Sequence, residues 1–271
     1  MFFVCLPCRY IAREPMFLEY FLAHGLCPEL CLDAWSLTNQ DQAWFEGLAQ
    51  SLASRNLACA VHLPYENLHP GSPDPLILDA TRERLARAFA AAKLLGPRHM
   101  VGHVDYQWGL HAEDPETWLK RHTATWEALL ASWPGHPPLH LENTFELDPE
   151  PVRDAVEALA ATDAGKGGVG ICFDAPHWHS FGRGHERKDL KRWVDCLGPR
   201  ITHLHLHDND GSGDQHLGMG QGALPWDEFF AMLEERGLAP GVTFEPHDEP
   251  SLLGSMDYLK RHPGRFARLI G

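Results

Sequence analysis

Basic side chains are scarce in this 271-residue chain: Lys and Arg number 23 against 37 Asp and Glu, for a formal charge of −14. Polyanions are held by several Lys or Arg contacts, so this balance disfavours DNA and anionic membrane as non-specific partners. Long apolar runs are missing too. No stretch approaches the ~18 uninterrupted apolar residues of a membrane span. The segment Met1 to Arg13 has no basic stretch ahead of its short apolar run, so it does not read as a secretory signal, and a cytoplasmic protein is expected. No Gly-x-Gly-x-x-Gly follows the first apolar run, which removes the main mark of a dinucleotide-binding open sheet. Cys5 and Cys8 form a Cys-x-x-Cys, but no second pair completes a zinc site. Without an export signal the seven cysteines are expected to be reduced, with Cys5 and Cys8 structural thiols on or beside the first strand. A hydrophobic fraction of 44% with 22% charged residues excludes a disordered, collagen-like or coiled-coil chain.

What is abundant is histidine, with 18 residues. Histidine is the commonest metal ligand and the usual proton shuttle near neutral pH, so its placement matters. Short apolar runs alternate with amphipathic segments from end to end. The runs are Phe2–Leu6, Glu29–Leu32, Ala58–His62, His99–His103, Leu139–Glu142, Val169–Asp174, Ile201–His207 and Val242–Glu245. The periodicity predicts helices over Asp74–Leu95, Pro115–Trp133, Pro149–Ala161, Glu186–Leu197, Trp226–Arg236 and Ser251–Leu269. Asp114-Pro115 and Asp148-Pro149 read as helix starts; Gly25, Gly96, Gly198 and Gly237 read as stops. Eight strand-then-helix units imply parallel pairing, and their total length is that of one (β/α)8 barrel. The expectation is an α/β chain forming a single TIM-barrel domain over residues 1–271.

From the third onward, most of these runs stop at a residue able to bind a metal: His62, His103, Glu142, Asp174, His205 and Glu245. Side chains on a strand alternate between faces. Leu139 and Leu141 share one face, His140 and Glu142 the other. Val169, Ile171 and Phe173 oppose Gly170, Cys172 and Asp174; Leu204 and Leu206 oppose His203, His205 and His207; Val242 and Phe244 oppose Thr243 and Glu245. The polar set therefore faces the barrel axis at the carboxyl ends of the strands, where barrel active sites are built. Acids placed together there repel one another and lose hydration unless a cation compensates. Mixed carboxylate and imidazole donors suit Zn²⁺, Mn²⁺ or Fe²⁺ better than Ca²⁺. His177, Asp214 and His216 lie in loops just past these ends. A single histidine at a strand end is more often a hydrogen-bonded structural residue than a ligand, so the inference rests on the whole set.

The pieces His62-Leu-Pro-Tyr65, Leu141-Glu142-Asn143-Thr144, Gly170-Ile-Cys-Phe-Asp174-Ala-Pro-His177, His205-Leu-His-Asp208, Asp214-Gln-His216-Leu-Gly and Phe244-Glu245-Pro246 give the chain a family likeness. Over roughly residues 58 to 250 it resembles the xylose isomerase-like TIM-barrel superfamily, which joins sugar isomerases and epimerases with endonuclease IV. The resemblance to tagatose 3-epimerase-type enzymes implies one Mn²⁺ or similar ion held by Glu142, Asp174, His205 and Glu245. The resemblance to endonuclease IV implies a three-zinc cluster that adds His62, His103, His177, Asp214 and His216. The likeness to endonuclease IV is incomplete. Tyr65-Glu66-Asn67 is one residue short of that enzyme's pattern, its Asp-Thr-Cys-His becomes Asp174-Ala-Pro-His177, and no Lys follows Asp208-Asn-Asp210. The loop Asp33–Asp41, where that enzyme carries DNA-contacting residues, has no Arg or Lys.

These features point to a divalent-metal-dependent isomerase or epimerase of a small sugar, sugar phosphate or polyol, using Zn²⁺ or Mn²⁺ and one to three ions. Glu142 and Glu245 are the expected acid and base on opposite faces of a planar enediolate, with His177 and His205 orienting substrate and metal. Trp35, Tyr65, Trp108, Phe145 and Trp178 are candidate stacking surfaces for a sugar, although any one of them is more often simple packing. Arg183 and Arg187 are the candidate phosphate anchors, and Gly218-Met-Gly-Gln-Gly222 is either a phosphate loop or plain flexible chain. The alternative is a multi-zinc phosphodiesterase of the endonuclease IV kind, acting on abasic DNA. A non-enzymatic binder of metal or sugar on the same barrel would carry the same sequence pattern.

Overall fold

The computed structural model describes residues 1–266. Eight parallel strands close into a barrel in chain order, with β8 pairing back to β1. They are β1 (Phe2–Pro7), β2 (Pro28–Cys31), β3 (Ala60–His62), β4 (Met100–His103), β5 (Leu139–Glu142), β6 (Val169–Asp174), β7 (Ile201–Leu206) and β8 (Gly241–Phe244). The expected (β/α)8 fold is therefore present, with each strand displaced by no more than two residues at either end from its apolar run. Among the described residues no helix is long and apolar enough to cross a membrane.

Two layers hold the barrel together. On the outside, Val4, Leu30, Val61, Leu141, Ile171, Phe173, Leu204, Val242 and Phe244 are almost fully buried against the surrounding helices. Each such side chain contributes about 1.5–3 kcal/mol relative to exposure. Phe173 meets Trp193 and Phe229, whose helices Leu190–Leu197 and Trp226–Glu235 lean on the β6 side. The inside differs from the branched apolar filling usual for such barrels. Glu29, His99, His140, His203 and Thr243 are all buried there.

The helices follow their end signals with some departures. Asp74 and Asp114 cap the helices Pro75–Leu95 and Pro115–Ala131, accepting from the N–H groups of Leu76 and Thr117. Gly25, Gly96 and Gly237 take left-handed φ of 67°, 61° and 66° past helix ends, whereas Gly198 stays right-handed and starts a 3-10 turn. Asp148 is not a cap. It pairs with Arg187 and Arg192, and the next helix is Glu150–Ala160. The expected helix Glu186–Leu197 is two short pieces, Gly184–Arg187 and Leu190–Leu197, broken where Lys188 adopts φ 52°. The last expected helix is divided into Glu249–Arg261 and a short helix Pro263–Phe266, because the Pro263 ring begins a helix but cannot continue one; Ala267 to Leu269 of the expected helix lie outside the described residues.

All seven cysteines are free. Cys5 lies on β1 with its sulfur 2.7 Å from that of Cys31 on β2, and Cys8 opens the helix Cys8–Arg13. The pair Cys5/Cys8 is structural in placement, as expected.

Candidate metal centre

Parallel pairing sets the ends of β3 to β7 side by side: Val101 faces His62, His103 faces Glu142, Glu142 faces Cys172 and Asp174 faces His205. Alternation then turns the imidazoles and carboxylates inward. Glu142 lies at their centre. Its Oε2 is 3.1 Å from His62 Nε2 and 3.1 Å from His103 Nε2; its Oε1 is 3.1 Å from His177 Nδ1 and 3.2 Å from His205 Nδ1. Glu245, one residue past β8, places Oε1 3.3 Å from the same His205 Nδ1. Asp174 Oδ2 stands 3.6 Å from His177 Nδ1 and 4.0 Å from His205 Nδ1. Asp214 Oδ2 is 2.9 Å from His216 Nε2 and 3.4 Å from His177 Nε2. All nine residues singled out from the sequence thus belong to one connected cluster.

The chain builds supports for this cluster. Asp174 Oδ1 accepts the N–H of His177 at 2.5 Å, capping the short helix Ala175–His179 and leaving Oδ2 for the centre. Asn143 clamps β5 to β6 by donating to the Asp174 carbonyl and accepting the Asp174 N–H. Most imidazoles have one nitrogen tied to a neutral oxygen outside the centre: His62 Nδ1 to Leu63 O, His103 Nδ1 to Thr144 Oγ1, His177 Nδ1 to Asn143 O and His216 Nδ1 to Glu245 O. Such contacts orient a ring and select its tautomer.

Electrostatics show what these side chains do in the absence of a cation. Burial alone would raise the Glu142 carboxyl, but the imidazoles of His205, His103 and His177 outweigh it and hold the group well below its usual range. Burial alone would lower His177 and His205; the surrounding acids, together with Cys172 beside His205, drive both well above the usual value. His216, against Asp214 and Glu245, is raised to about 9 despite burial. The carboxylates therefore hold protons on neighbouring imidazoles. A divalent ion satisfies the same acids more directly, because it is bound by neutral imidazole and ionised carboxylate. The donor set fits such an ion. His205 Nδ1, His207 Nδ1 and Asp214 Oδ1 are buried with no hydrogen-bond partner, and unpaired buried polar atoms are costly unless something else occupies them.

Two inward residues escaped the sequence reading as site members. His207, just past β7, is buried with Nε2 3.3 Å from Asp174 Oδ2, 3.7 Å from Asp214 Oδ1 and 3.8 Å from Glu245 Oε2. The alternation of β7 had already put it on the polar face. Glu29 on β2 is fully buried with Oε1 3.0 Å from His205 Nε2. Its signal was present in the same form, since Leu30 and Leu32 alternate with Glu29 and Cys31.

The mouth of the barrel corrects several expectations. Trp178 is buried and donates to Asp189, so it is packing and not a stacking surface. Tyr65 stacks on His103 with centroids 4.5 Å apart, and Trp108 and Phe145 are exposed and flank a shallow cleft with Gln107 and Leu147. Trp35 lies under the Arg13 guanidinium. Arg183 is paired with Glu186, and Arg187 with Asp148 and Asp189. In the glycine-rich stretch, the N–H groups of Gly218, Met219 and Gly220 are spent on Gln221, Ser255 and Asp208. That loop is pinned, neither a free phosphate cradle nor slack chain.

The family model described as the xylose isomerase-like TIM barrel matches residues 27–262. The chain belongs to the xylose isomerase-like TIM-barrel family. Within that fold, the crystal structure of a D-tagatose 3-epimerase-like protein superposes with a TM-score of 0.76 at 21% identity over 97% of each chain. The TTHB071 protein from Thermus thermophilus, in a crystal soaked with ZnCl2, superposes with a TM-score of 0.73 at 29% identity, again over 97% of each chain. In sequence, the uncharacterized protein MJ1311 of Methanocaldococcus jannaschii is 25% identical over 209 residues, which is 74% of this chain and 69% of that one. This xylose isomerase-like barrel thus shares its architecture with sugar epimerase-like proteins.

Proposed function

We propose that the protein is a divalent-metal-dependent isomerase or epimerase of a small sugar or polyol. The observation that carries this reading is the convergence of Glu142 and Glu245, from β5 and from the end of β8, on one atom, His205 Nδ1, at 3.2 and 3.3 Å. With Asp174 they form a Glu-Asp-His-Glu donor set for Zn²⁺ or Mn²⁺. Held by these residues, such an ion would supply Lewis acidity toward a carbonyl and its neighbouring hydroxyl, acidifying the C–H between them. Glu142, held ionised by its imidazoles, is the base that takes this proton, and Glu245 returns one to the opposite face of the planar enediolate. His177, tethered at Nδ1 to Asn143 O, orients a substrate oxygen. Tyr65, Trp108 and Phe145 offer stacking surfaces at the mouth. The engaged Arg183 and Arg187 and the pinned Gly218–Gly222 loop favour an unphosphorylated substrate.

The test is isotope exchange. Metal-loaded protein is incubated with a panel of ketoses in D₂O, and deuterium at a carbon beside the carbonyl is followed by NMR. Exchange with product formation is expected; none across the panel counts against the reading. A second reading, a multi-zinc phosphodiesterase, is favoured by the gathering of all nine residues. Metal content separates the two, with about one ion per chain expected for the epimerase and about three for the phosphodiesterase. Cleavage of abasic-site DNA at ordinary turnover rates would establish the second.

A further inference from the structure

The imidazoles of the centre are not anchored alike. His62, His103, His177 and His216 each rest one nitrogen on a neutral oxygen. His205 instead turns Nε2 to the Glu29 carboxylate, Oε1 lying 3.0 Å away, while Nδ1 faces Glu142 and Glu245. Neither Nε2 nor Oε1 makes a well-aligned hydrogen bond to any group in this structure, so their 3.0 Å approach is a close charge contact that each atom reserves for the other. Glu29 is itself held from below. Thr243 donates to its Oε2 at 2.7 Å, His99 Nε2 stands 3.4 Å away and His203 Nε2 3.8 Å away, and Thr243 Oγ1 also contacts His203 Nε2 at 2.8 Å. Glu29, Thr243, His99 and His203 are all buried inside the barrel, one level below the centre. A carboxylate this deep is costly unless it is paired.

We propose that Glu29 is a positioning residue for the metal centre: its carboxylate, 3.0 Å from His205 Nε2, draws the ring proton to that nitrogen, fixes the tautomer with Nδ1 free, and makes Nδ1 the strongest imidazole donor of the set. The proposal rests on the metal-binding reading above and deepens it. A ligating histidine that hands its second N–H to a carboxylate is held in orientation and becomes more basic, and loss of such a partner costs about 10–100-fold in metal affinity. Thr243, His99 and His203 keep Glu29 itself from rotating away. The layer of polar residues that replaces the apolar barrel filling is the scaffold of this contact.

The experiment measures affinity, not turnover. Chelator-stripped protein is titrated with Zn²⁺ or Co²⁺ in competition with a chromophoric chelator, and Co²⁺ absorption reports the ligand set. E29A is expected to weaken the tightest ion about 10–100-fold. E29Q, whose amide oxygen still accepts from Nε2–H, is expected to recover most of that loss. In an H205A background E29A is expected to add nothing. Should E29A not fold, E29D, which keeps the charge but draws it back from Nε2, takes its place and is expected to weaken the ion by a smaller factor. Unchanged affinity in a folded E29A or E29D, or a loss that persists undiminished in H205A, overturns the proposal. An unaltered protein that binds no divalent ion overturns the metal reading itself and this proposal with it, which is a separate outcome.

Discussion

His207 Nε2 faces Asp174 Oδ2 at 3.3 Å, with oxygens of Asp214 and Glu245 at 3.7 and 3.8 Å. One imidazole nitrogen therefore meets three carboxylates in a buried setting, bonded to the nearest and within reach of the other two. Removing one partner of a buried charge group leaves the others uncompensated, at about 3–5 kcal/mol. H207A is expected to destabilise the metal-free protein on that scale in urea unfolding, and added Zn²⁺ to restore part of the loss. A metal-free stability equal to the unaltered protein's would contradict this.

Glu142 touches four imidazoles, so its removal should strike binding and chemistry together. E142Q is expected to lower deuterium exchange at least about 100-fold, the usual scale for a lost acid–base group, and to lower metal content in the same preparation. Full metal content with full exchange would remove Glu142 from both roles.

Metal affinity should depend on pH with a definite sign. His216 is raised to about 9, and His177 and His205 are raised as well. Below those values a metal must displace protons, so affinity rises with pH from about 6.5 to 9 by about tenfold per unit for each proton displaced. The same raised groups stabilise the metal-free fold fully below their unfolded value near 6.5, and that contribution is lost as pH rises through about 9. Titrations at several pH values check the slope; a flat profile would show that no imidazole proton is displaced.

His122 and His140 titrate in the opposite direction. Burial lowers both to about 3, and His122 Nε2 accepts the Trp126 indole N–H at 3.1 Å, a role open only to the neutral ring. Unfolded histidine protonates near 6.5, so their stabilisation is present above that pH and falls away as pH drops toward 3, by about 1.4 kcal/mol per unit for each ring. H122Q, which can still accept from Trp126, is expected to lose about 2 kcal/mol less than the unaltered protein between pH 6.5 and 5 in urea unfolding. Equal losses would mean that the ring is protonated in the fold.

Gly102 on β4 leaves no room outside the barrel. A Cβ there would lie 2.5 Å from Trp126 Cη2, on a ring that is itself fully buried. G102A is expected to cost about 1–3 kcal/mol, and combining it with W126F to recover part of that, measured by thermal or urea unfolding. A neutral G102A would show that the helix Pro115–Ala131 moves away without penalty.

Much of this was legible along the chain because it is local. The limits of β5 and β6 follow directly from short apolar runs, and the inward placement of Glu142, Asp174 and His205 follows from alternation on a strand. The breaks were less legible. Lys188 at positive φ divides an apparently continuous helix, and Asp148 serves Arg187 and Arg192 before it serves a helix end. Those choices depend on partners far along the chain, which no periodicity carries.

The order of elements, the parallel barrel and the nine convergent side chains were determined by residue pattern alone, since face and spacing are set within a few residues. Which atom meets which was decided by closure of the barrel. Only closure brings β2 across from β7, so that Glu29 near the start of the chain reaches His205 near its end, and only closure sets His207 among acids from three other segments. Coulomb and hydrogen-bond energies fall off over a few ångströms, a scale that tertiary packing alone establishes.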